Sequence, residues 1–274
     1  MIYDWIIVRY GEIFLKGNNR PIFESKLMQN ITAMTGQRVK KLQSRLMMPY
    51  FQEHSRLRRV FGLVSYSPSI KAEKNLEEIK KKTLQLIADK KGTFRVDTQR
   101  SDKKFPGKSP EINREIGKYI EDNTQLVFSL HDPQITINLE INQEGAYLFL
   151  DTISCPGGIP TGVEGKVLLL IENEASILAG ILMMKRGCSI IPVSFKAADI
   201  SLLQRYSPEK INLVLIKNET ELERIATGHK CSVLASGQNF NKYKKYPFSL
   251  LALRPLISYS DERINEESRS FSLI

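Results

Sequence analysis

The chain has 274 residues, 42% of them hydrophobic and 26% charged, and this ordinary composition excludes collagen, a continuous coiled coil and extended disorder. At about 150 residues per domain, the length predicts two domains or three small ones. Forty Lys and Arg against thirty Asp and Glu give a net charge of +10, which favours a polyanionic partner.

The N-terminal region predicts a small α+β domain. Residues 5–8 are typical of a buried strand, and the apolar spacing after Pro21 predicts a helix that Gly36 ends. A basic strand over residues 38–48, a short helix over 54–61 and a strand over 63–66 follow. This alternation indicates a ferredoxin-like domain over residues 1–70.

The middle of the chain predicts a second α+β domain, over residues 71–153. A helix with a one-sided apolar stripe begins near Leu76 and ends at Gly92. A strand, a polar loop, a helix and a hairpin follow, over residues 94–98, 100–110, 111–120 and 135–150. The Gly- and Pro-rich residues 154–165 form a predicted linker.

The last region, residues 166–274, predicts a doubly wound parallel α/β domain. Apolar runs at residues 167–171, 190–195, 213–216 and 231–235 alternate with helical segments such as 175–185, which is typical of a parallel sheet covered on both faces. The chain is therefore expected to be an α/β multi-domain protein.

Ligands of doubly wound sheets bind at the carboxyl ends of the strands, here at the turn Glu172, Asn173, Glu174, Ala175 and Ser176. A phosphate cradle needs glycines that let backbone N–H groups approach the anion. This turn has no glycine and carries two acids, so the sequence argues against ordinary nucleotide chemistry there.

Other classes of protein and site are not indicated. No apolar stretch approaches a membrane span, and the first eight residues lack the cationic flank of a signal peptide, so we expect a cytoplasmic protein without a membrane partner. The three cysteines and three histidines have neither disulfide nor metal-ligand spacing, and no metal is expected. Cys188 follows Lys185 and Arg186, but a small core residue is the favoured interpretation.

Three stretches of the chain resemble a known family. They are VRYGEIFLKGNNRPIFE at residues 8–24, RSDKKFPGKSPEI at 100–112, and VLLL at 167–170 with MMKRG at 183–187 and LRPLISY at 253–259. In this order they resemble the ThiI-type tRNA sulfurtransferases, which make 4-thiouridine in tRNA, and more closely their shorter archaeal relatives. The second stretch resembles the centre of a THUMP domain.

The resemblance implies different states for the two halves of the chain. The ferredoxin-like and THUMP domains of the family bind tRNA, the THUMP domain at the 3′ CCA end, and both motifs are intact here. The family's third domain is an adenylating PP-loop module with the turn Ser-Gly-Gly-x-Asp-Ser. Only Ser176 matches that turn, Ala175 stands where the catalytic Asp belongs, and Asp261 takes the place of a functional lysine.

We therefore expect a degenerate PP-loop-like domain over residues 166–274. It would be truncated before the family's active-site cysteine and have no appended rhodanese domain. We assign no catalytic residue, no metal and no cofactor, and ATP enters only under the alternative given below.

The candidate RNA-binding residues are cations and their loop neighbours. A run of charge is usually a solvated face, but an apolar pair inside the basic loop, ahead of a helix, suits RNA phosphates and unpaired bases. Phe105 either stacks on a base or pins the loop to the core, and the sequence leaves both open. The candidates are Arg9, Lys16, Arg20, Arg100, Lys103, Lys104, Phe105, Pro106, Lys108, Arg114 and Lys118. Residues 243–246 extend this basic, aromatic character.

The sequence leaves three functions open. The favoured one is a tRNA-binding protein, rather than an enzyme, that acts in 4-thiouridine formation or thiamine-related sulfur transfer, with a sulfur-transfer partner protein supplying the missing groups. The alternative is an active ATP-dependent tRNA sulfurtransferase with non-standard residues. The third is a scaffold without nucleic acid. A homodimer, common in the family, is left open.

Overall fold

The computed structural model describes residues 2–42 and 44–274, and these form two compact units. The first unit contains the chain start through Val8, then Lys40–Gln52 and Tyr66–Ile153; the second contains Arg9–Val39, Glu53–Ser65 and Ser154–Ile274. None of the helices in this described part combines the length and apolar character that a membrane crossing requires.

The N-terminal elements follow the predicted order, with one correction. They are β1 (Trp5–Tyr10), a 3-10 helix (Glu12–Asn19), α1 (Arg20–Thr35), β2 (Lys40–Leu42), β3 (Arg45–Pro49), a 3-10 helix (His54–Arg59) and β4 (Leu63–Ala72). Pro21 lies in the first turn of helix α1, and Gly36, whose φ of 73° is left-handed, caps its end, as predicted. The single basic strand predicted over residues 38–48 was wrong: the chain reverses and pairs Leu42 with Arg45.

The middle elements form an α+β domain. They are α2 (Leu76–Leu86), β5 (Thr93–Arg100), α3 (Ser109–Asn123), β6 (Val127–Phe128), β7 (Ile135–Asn142), β8 (Gly145–Phe149) and β9 (Ile153–Ser154). The nine-stranded sheet has the order β2-β3-β1-β4-β8-β7-β5-β6, with β9 beside β4. Helices α2 and α3 bury Ile79, Ile112 and Ile116 against this sheet in one hydrophobic core.

The C-terminal elements confirm the doubly wound prediction. They are β10 (Lys166–Leu170), α4 (Glu174–Lys185), β11 (Ser189–Ser194), α5 (Ser201–Tyr206), β12 (Val214–Leu215), α6 (Glu219–Gly228), β13 (Val233–Ser236), a 3-10 helix (Phe240–Lys242), β14 (Leu251–Leu253) and α7 (Asp261–Ser272). The strands run parallel in the order β12-β11-β10-β13-β14. The order reverses between β10 and β13, where such sheets bind ligands.

The segment predicted as a linker, residues 154–165, is held by hydrogen bonds inside the second unit. The Gly157 N–H donates to the Leu63 carbonyl at 2.7 Å, and the Thr161 hydroxyl donates to the Met184 carbonyl at 3.2 Å. Gly158 has a φ of 81°, and a Cβ there would lie 2.4 Å from the Lys185 carbonyl oxygen. Only glycine fits this close approach. The division into three domains stays a prediction.

Helix α1 belongs to the same unit as the parallel sheet, which the sequence did not indicate. The Asn30 amide donates to the Thr161 carbonyl at 3.0 Å, and the Arg59 guanidinium donates to the Ile274 carbonyl at 2.9 Å. Phe61 stacks on Tyr206 with ring centroids 5.6 Å apart. This unit is therefore stabilised by contacts between residues more than 100 positions apart.

Candidate nucleic-acid interface and nucleotide turn

The loop between β5 and α3 is held in shape by its own polar groups. Arg100 donates one guanidinium nitrogen to the Phe105 carbonyl at 2.7 Å and to the Gly107 carbonyl. The buried Asp102 accepts from the Lys74 ammonium at 2.8 Å and from the Lys104 backbone N–H at 2.9 Å. The predicted RNA contact Arg100 thus uses one of its guanidinium nitrogens to hold the loop backbone.

Phe105 lies in the core of the first unit, only 5% exposed, with Ile112 and Ile116 of α3 in the same cluster. Of the two roles that the sequence left open, its burial favours pinning the loop over stacking on a base. Its neighbour Pro106 is exposed. The loop is therefore anchored by an aromatic ring from below and leaves its charged side chains outside.

The remaining cations of this region share two properties: all are exposed, and none forms an ion pair within the described residues. Because Ile112, Ile116 and Ile120 face the core, the basic residues of α3 lie on its solvent side. Unpaired exposed cations are the groups that contact phosphate oxygens. The set is Lys103, Lys104, Lys108, Arg114 and Lys118. We call it the basic surface.

The Asp102 contacts predict a pH effect on this loop. The hydrogen bond from Lys74 is the main cause that holds the pKa of Asp102 below its usual 3.8, and the hydrogen bond from the Lys104 backbone N–H adds to it. A depressed folded pKa means that the contribution to stability is present above the unfolded value and is lost as pH falls through the folded value. The Lys104 amide resonance should titrate with a midpoint below pH 3.8 in NMR, and Lys74→Met should raise that midpoint. A wild-type midpoint at or above 3.8 would contradict the contact.

The N-terminal cations are more engaged than the basic surface. Arg20 donates to the Glu24 carboxylate at 2.6 Å and to the Tyr10 hydroxyl at 3.2 Å, and its guanidinium lies over the Phe14 ring at 4.4 Å. Lys16 pairs with Glu164 at 3.5 Å. Arg9 is half-buried, and its side chain is not without an interaction partner. The structure does not bring these three together as free cations.

Glu24 is the centre of the Arg20 contacts, and its charge should matter for stability. It is 2% exposed and also accepts the Tyr10 hydroxyl at 2.6 Å; burial first, then this hydrogen bond, raises the pKa of Tyr10. Glu24→Gln should lower the free energy of unfolding by about 2 kcal/mol. This loss is smaller than that from breaking a fully buried ion pair, because the Arg20 side chain is 31% exposed. The control is Glu12→Gln at an exposed residue, which should change the free energy of unfolding by no more than about 0.5 kcal/mol. Urea titration of both variants measures the two effects. Equal effects would refute a special role for Glu24.

We call residues 172–176 the nucleotide turn. It lies at the carboxyl end of β10 and is closed by hydrogen bonds from its own side chains. The Asn173 carboxamide oxygen accepts from the Ser176 N–H at 3.3 Å, and the fully buried Ser176 hydroxyl accepts from the Glu172 N–H at 3.2 Å. A Cβ on Gly237 would lie 2.4 Å from the Ser176 nitrogen. The backbone N–H of Ser176, in the first turn of α4, is therefore capped by Asn173. The loop that follows β13 and begins at Gly237, the β13 loop, covers one side of the turn.

Acidic residues at this edge are paired with cations from the 3-10 helix and the loop after it. Glu172 accepts from the Tyr246 hydroxyl and from Lys244, both at 2.5 Å. Asp261 accepts from the Asn239 carboxamide at 2.8 Å and from Lys242 at 3.1 Å. The hydrogen bond from Lys242 is the main reason that the pKa of Asp261 is lowered. Lys242 and Lys244 are thus already bound to carboxylates.

A cavity of about 990 Å³ opens beside the first turns of α4. Its floor is apolar, with Ile177, Leu178 and Ile181, and its rim is mixed in charge, with Asp261, Lys242 and Arg269 among the lining residues. Its volume suffices for a small ligand.

Burial affects the thiols of Cys155 and Cys188. Burial raises the pKa of the Cys155 thiol to about 12, and burial also raises that of Cys188. A thiol held protonated is a poor nucleophile, which supports the interpretation of Cys188 as a core residue. Within residues 2–42 and 44–274, no group of His, Cys, Asp and Glu has the arrangement to hold a metal ion.

Comparison with known families places these features in context. The model of the ThiI ferredoxin-like domain matches residues 5–67, and the model of the THUMP domain matches residues 73–151. The probable tRNA sulfurtransferase of Natranaerobius thermophilus is 30% identical over 298 residues, covering the whole chain and 71% of that relative. The chain belongs to the tRNA sulfurtransferase family. The resemblance to this family seen in the sequence is confirmed, and the closer resemblance to archaeal relatives stays a prediction.

Other members of the tRNA sulfurtransferase family are more similar over less of their length. The probable tRNA sulfurtransferase of Moorella thermoacetica is 42% identical over 205 residues, which cover 71% of this chain and 53% of that protein. The chain thus spans about half the length of this relative.

Solved structures agree with the fold expected for the family. PH1313 from Pyrococcus horikoshii Ot3 is 29% identical with a TM-score of 0.87, covering 98% of this chain and 99% of that one. A 4-thiouridine synthetase, solved with RNA and bound ATP, is 24% identical with a TM-score of 0.84, covering 98% and 85%. The predicted ferredoxin-like, THUMP and parallel α/β folds are confirmed.

Proposed function

We propose that this chain binds tRNA through its basic surface and acts in tRNA thiolation to 4-thiouridine, or in thiamine-related sulfur transfer, without activating the nucleotide itself. The observation that carries the proposal is the rigid loop of Lys103, Lys104 and Lys108, which holds its cations exposed and unpaired among the described residues. The names of its relatives and the RNA held by the 4-thiouridine synthetase support this choice of partner.

The basic surface suits contacts to RNA phosphates better than the reading of a defined base sequence. Lysine and arginine contacts to phosphate fix the position of the RNA without reading its bases. Phe105 is buried, so the loop offers charge and backbone rather than an aromatic face. The resemblance to the family implies the acceptor end of tRNA, with its CCA terminus, and we propose this end as the ligand.

The nucleotide turn supports the second part of the proposal. Its amide at Ser176 is capped by Asn173, its side chains include Glu172 and Glu174, and Ala175 has no group to act as an acid or base. An anionic triphosphate at this turn would meet the exposed Glu174 carboxylate and a Ser176 N–H that is already bound. A partner protein would then supply the sulfur and the activating chemistry.

The large cavity beside α4 favours the alternative, an active ATP-dependent tRNA sulfurtransferase. Asn173 and Lys242 line it, and about 990 Å³ accommodates a nucleotide. The test is AMP release from ATP in the presence of tRNA. Our proposal predicts none above the rate without protein, whereas AMP release that Ser176→Ala abolishes would establish the alternative.

The cellular test of the proposal is mass spectrometry of tRNA from a strain that lacks this chain. We expect 4-thiouridine to fall, and the wild-type gene to restore it while the Lys103→Glu, Lys104→Glu variant does not. A scaffold that does not touch nucleic acid would be indicated if the double variant restored function as well as the wild type.

A further inference from the structure

The loop after β13, residues 239–248, presents aromatic rings to solvent, and we call it the aromatic loop. Phe240 is 73% exposed and Tyr243 56% exposed. Its sequence, NFNKYKKYPF, interleaves these rings with Lys242, Lys244 and Lys245. Single exposed apolar side chains are ordinary on a protein surface, so it is the combination of two exposed rings with interleaved lysines that makes this loop a candidate binding surface.

The base of the aromatic loop is rigid, although its rings are exposed. The buried Asn239 side chain accepts from the Lys242 N–H at 3.1 Å and donates to the Tyr259 carbonyl at 3.1 Å. The Phe240 N–H donates to the Ile257 carbonyl at 3.0 Å. These hydrogen bonds fix the backbone from which the two rings project.

Arg254, which directly follows strand β14, supports the aromatic loop through contacts with its residues. Its guanidinium donates to the Gln238 side chain at 3.0 Å and to the Lys244 carbonyl at 3.1 Å, and it lies 4.7 Å from the Tyr243 ring centroid. Neither Phe240 nor Tyr243 contacts another ring in the described part of the chain. Tyr243 directly follows the 3-10 helix Phe240–Lys242, and its N–H donates to the Phe240 carbonyl at 3.4 Å.

The charge around these rings is positive. Lys245 is exposed and has no partner among the described residues, and Arg254 has no carboxylate partner there. Lys242 and Lys244 are bound to Asp261 and Glu172, so they add little attraction. Aromatic faces with adjacent cations are the surface that binds unpaired nucleotides, the rings stacking on bases and the cations facing phosphates.

We propose that the aromatic loop binds a single-stranded segment of RNA, with Tyr243 stacking on one base and Phe240 on a second. This inference rests on the proposed function in naming RNA as the polyanion, and it adds a contact separate from the basic surface. If the rings bind a protein instead, Tyr243→Ala leaves the binding of oligouridylate and of tRNA unchanged.

The test is fluorescence anisotropy of the full chain with two labelled probes, a ten-nucleotide oligouridylate and a blunt RNA hairpin with a minimal loop, together with filter binding of tRNA. Tyr243→Ala should weaken oligouridylate binding about tenfold, in the range of one stacked base, and Phe240→Ala should do likewise. Tyr243→Phe keeps the ring and should bind like the wild type. The hairpin, whose bases are stacked internally, should be affected less than twofold.

The outcomes separate this inference from the proposed function. If tRNA binds and Lys103→Glu with Lys104→Glu weakens it, while Tyr243→Ala leaves both probes and tRNA unchanged, the aromatic loop is not an RNA site and the proposed function stands. If oligouridylate binding depends on Tyr243 but tRNA is not retained, the inference stands and the proposed function fails. If Tyr243→Phe is as weak as Tyr243→Ala, the hydroxyl rather than stacking is responsible, and the inference is overturned.

Discussion

Replacing Lys103 and Lys104 with glutamate is expected to weaken tRNA binding by about 10- to 100-fold at physiological salt. Each lysine contributes one phosphate contact, so the slope of log affinity against log salt should become shallower by about two. The loss should be nearly uniform across tRNA sequences, because phosphate contacts position the RNA without reading bases. Filter binding of several tRNAs at four salt concentrations measures both quantities.

The matched control is the pair Lys90 and Lys91, which is also exposed and adjacent in sequence and lies in the same unit. Lys90→Glu with Lys91→Glu makes the same change in net charge, and we expect a several-fold effect at most, from the overall field. Equal losses in the two double variants would mean that net charge, and not the basic surface, drives binding. A large loss with one tRNA alone would contradict a phosphate contact.

Substituting alanine for Gly237 is expected to destabilise the second unit by about 1–3 kcal/mol, the range for overpacking. The added Cβ would lie 2.4 Å from the Ser176 nitrogen and 2.6 Å from the Ala175 carbonyl carbon, and both neighbours are backbone atoms that cannot rotate away. Relief requires the β13 loop or the nucleotide turn to move. Thermal unfolding followed by circular dichroism should record a lower midpoint.

Gly228 provides the control for this substitution in the same unit. It lies near the end of α6, and a Cβ there would meet no atom within 4 Å. Gly228→Ala should be neutral or stabilise slightly, since alanine favours the helix. If Gly237→Ala is as stable as Gly228→Ala, the nucleotide turn is not covered by the β13 loop as described.

Local patterns in the sequence predicted those parts of the fold that depend on neighbouring residues. Pro21 and Gly36 marked the ends of α1, and the apolar run at residues 167–171 indicated a strand buried on both faces. The hairpin of β2 and β3 was missed because no Gly, Pro, Asn or Asp marks its turn. Strands of two residues, such as β6 and β9, are too short to show a periodicity.

Contacts between distant residues could not be predicted in the same way. Lys16 looked like a free surface cation, but it pairs with Glu164, 148 residues away. The role of Arg254 in backing the aromatic loop likewise depends on the pairing of β13 with β14, which brings residues about 18 positions apart side by side. Phe105 was left with two roles because its loop position suits either, and only its burial distinguishes them.

The most direct test of the account is filter binding of intact tRNA, and of the same tRNA without its CCA end, to the full chain over a range of salt. The account predicts salt-dependent binding of intact tRNA that weakens when the CCA end is removed. Absence of binding at low salt, or an affinity that is indifferent to the CCA end, would contradict it.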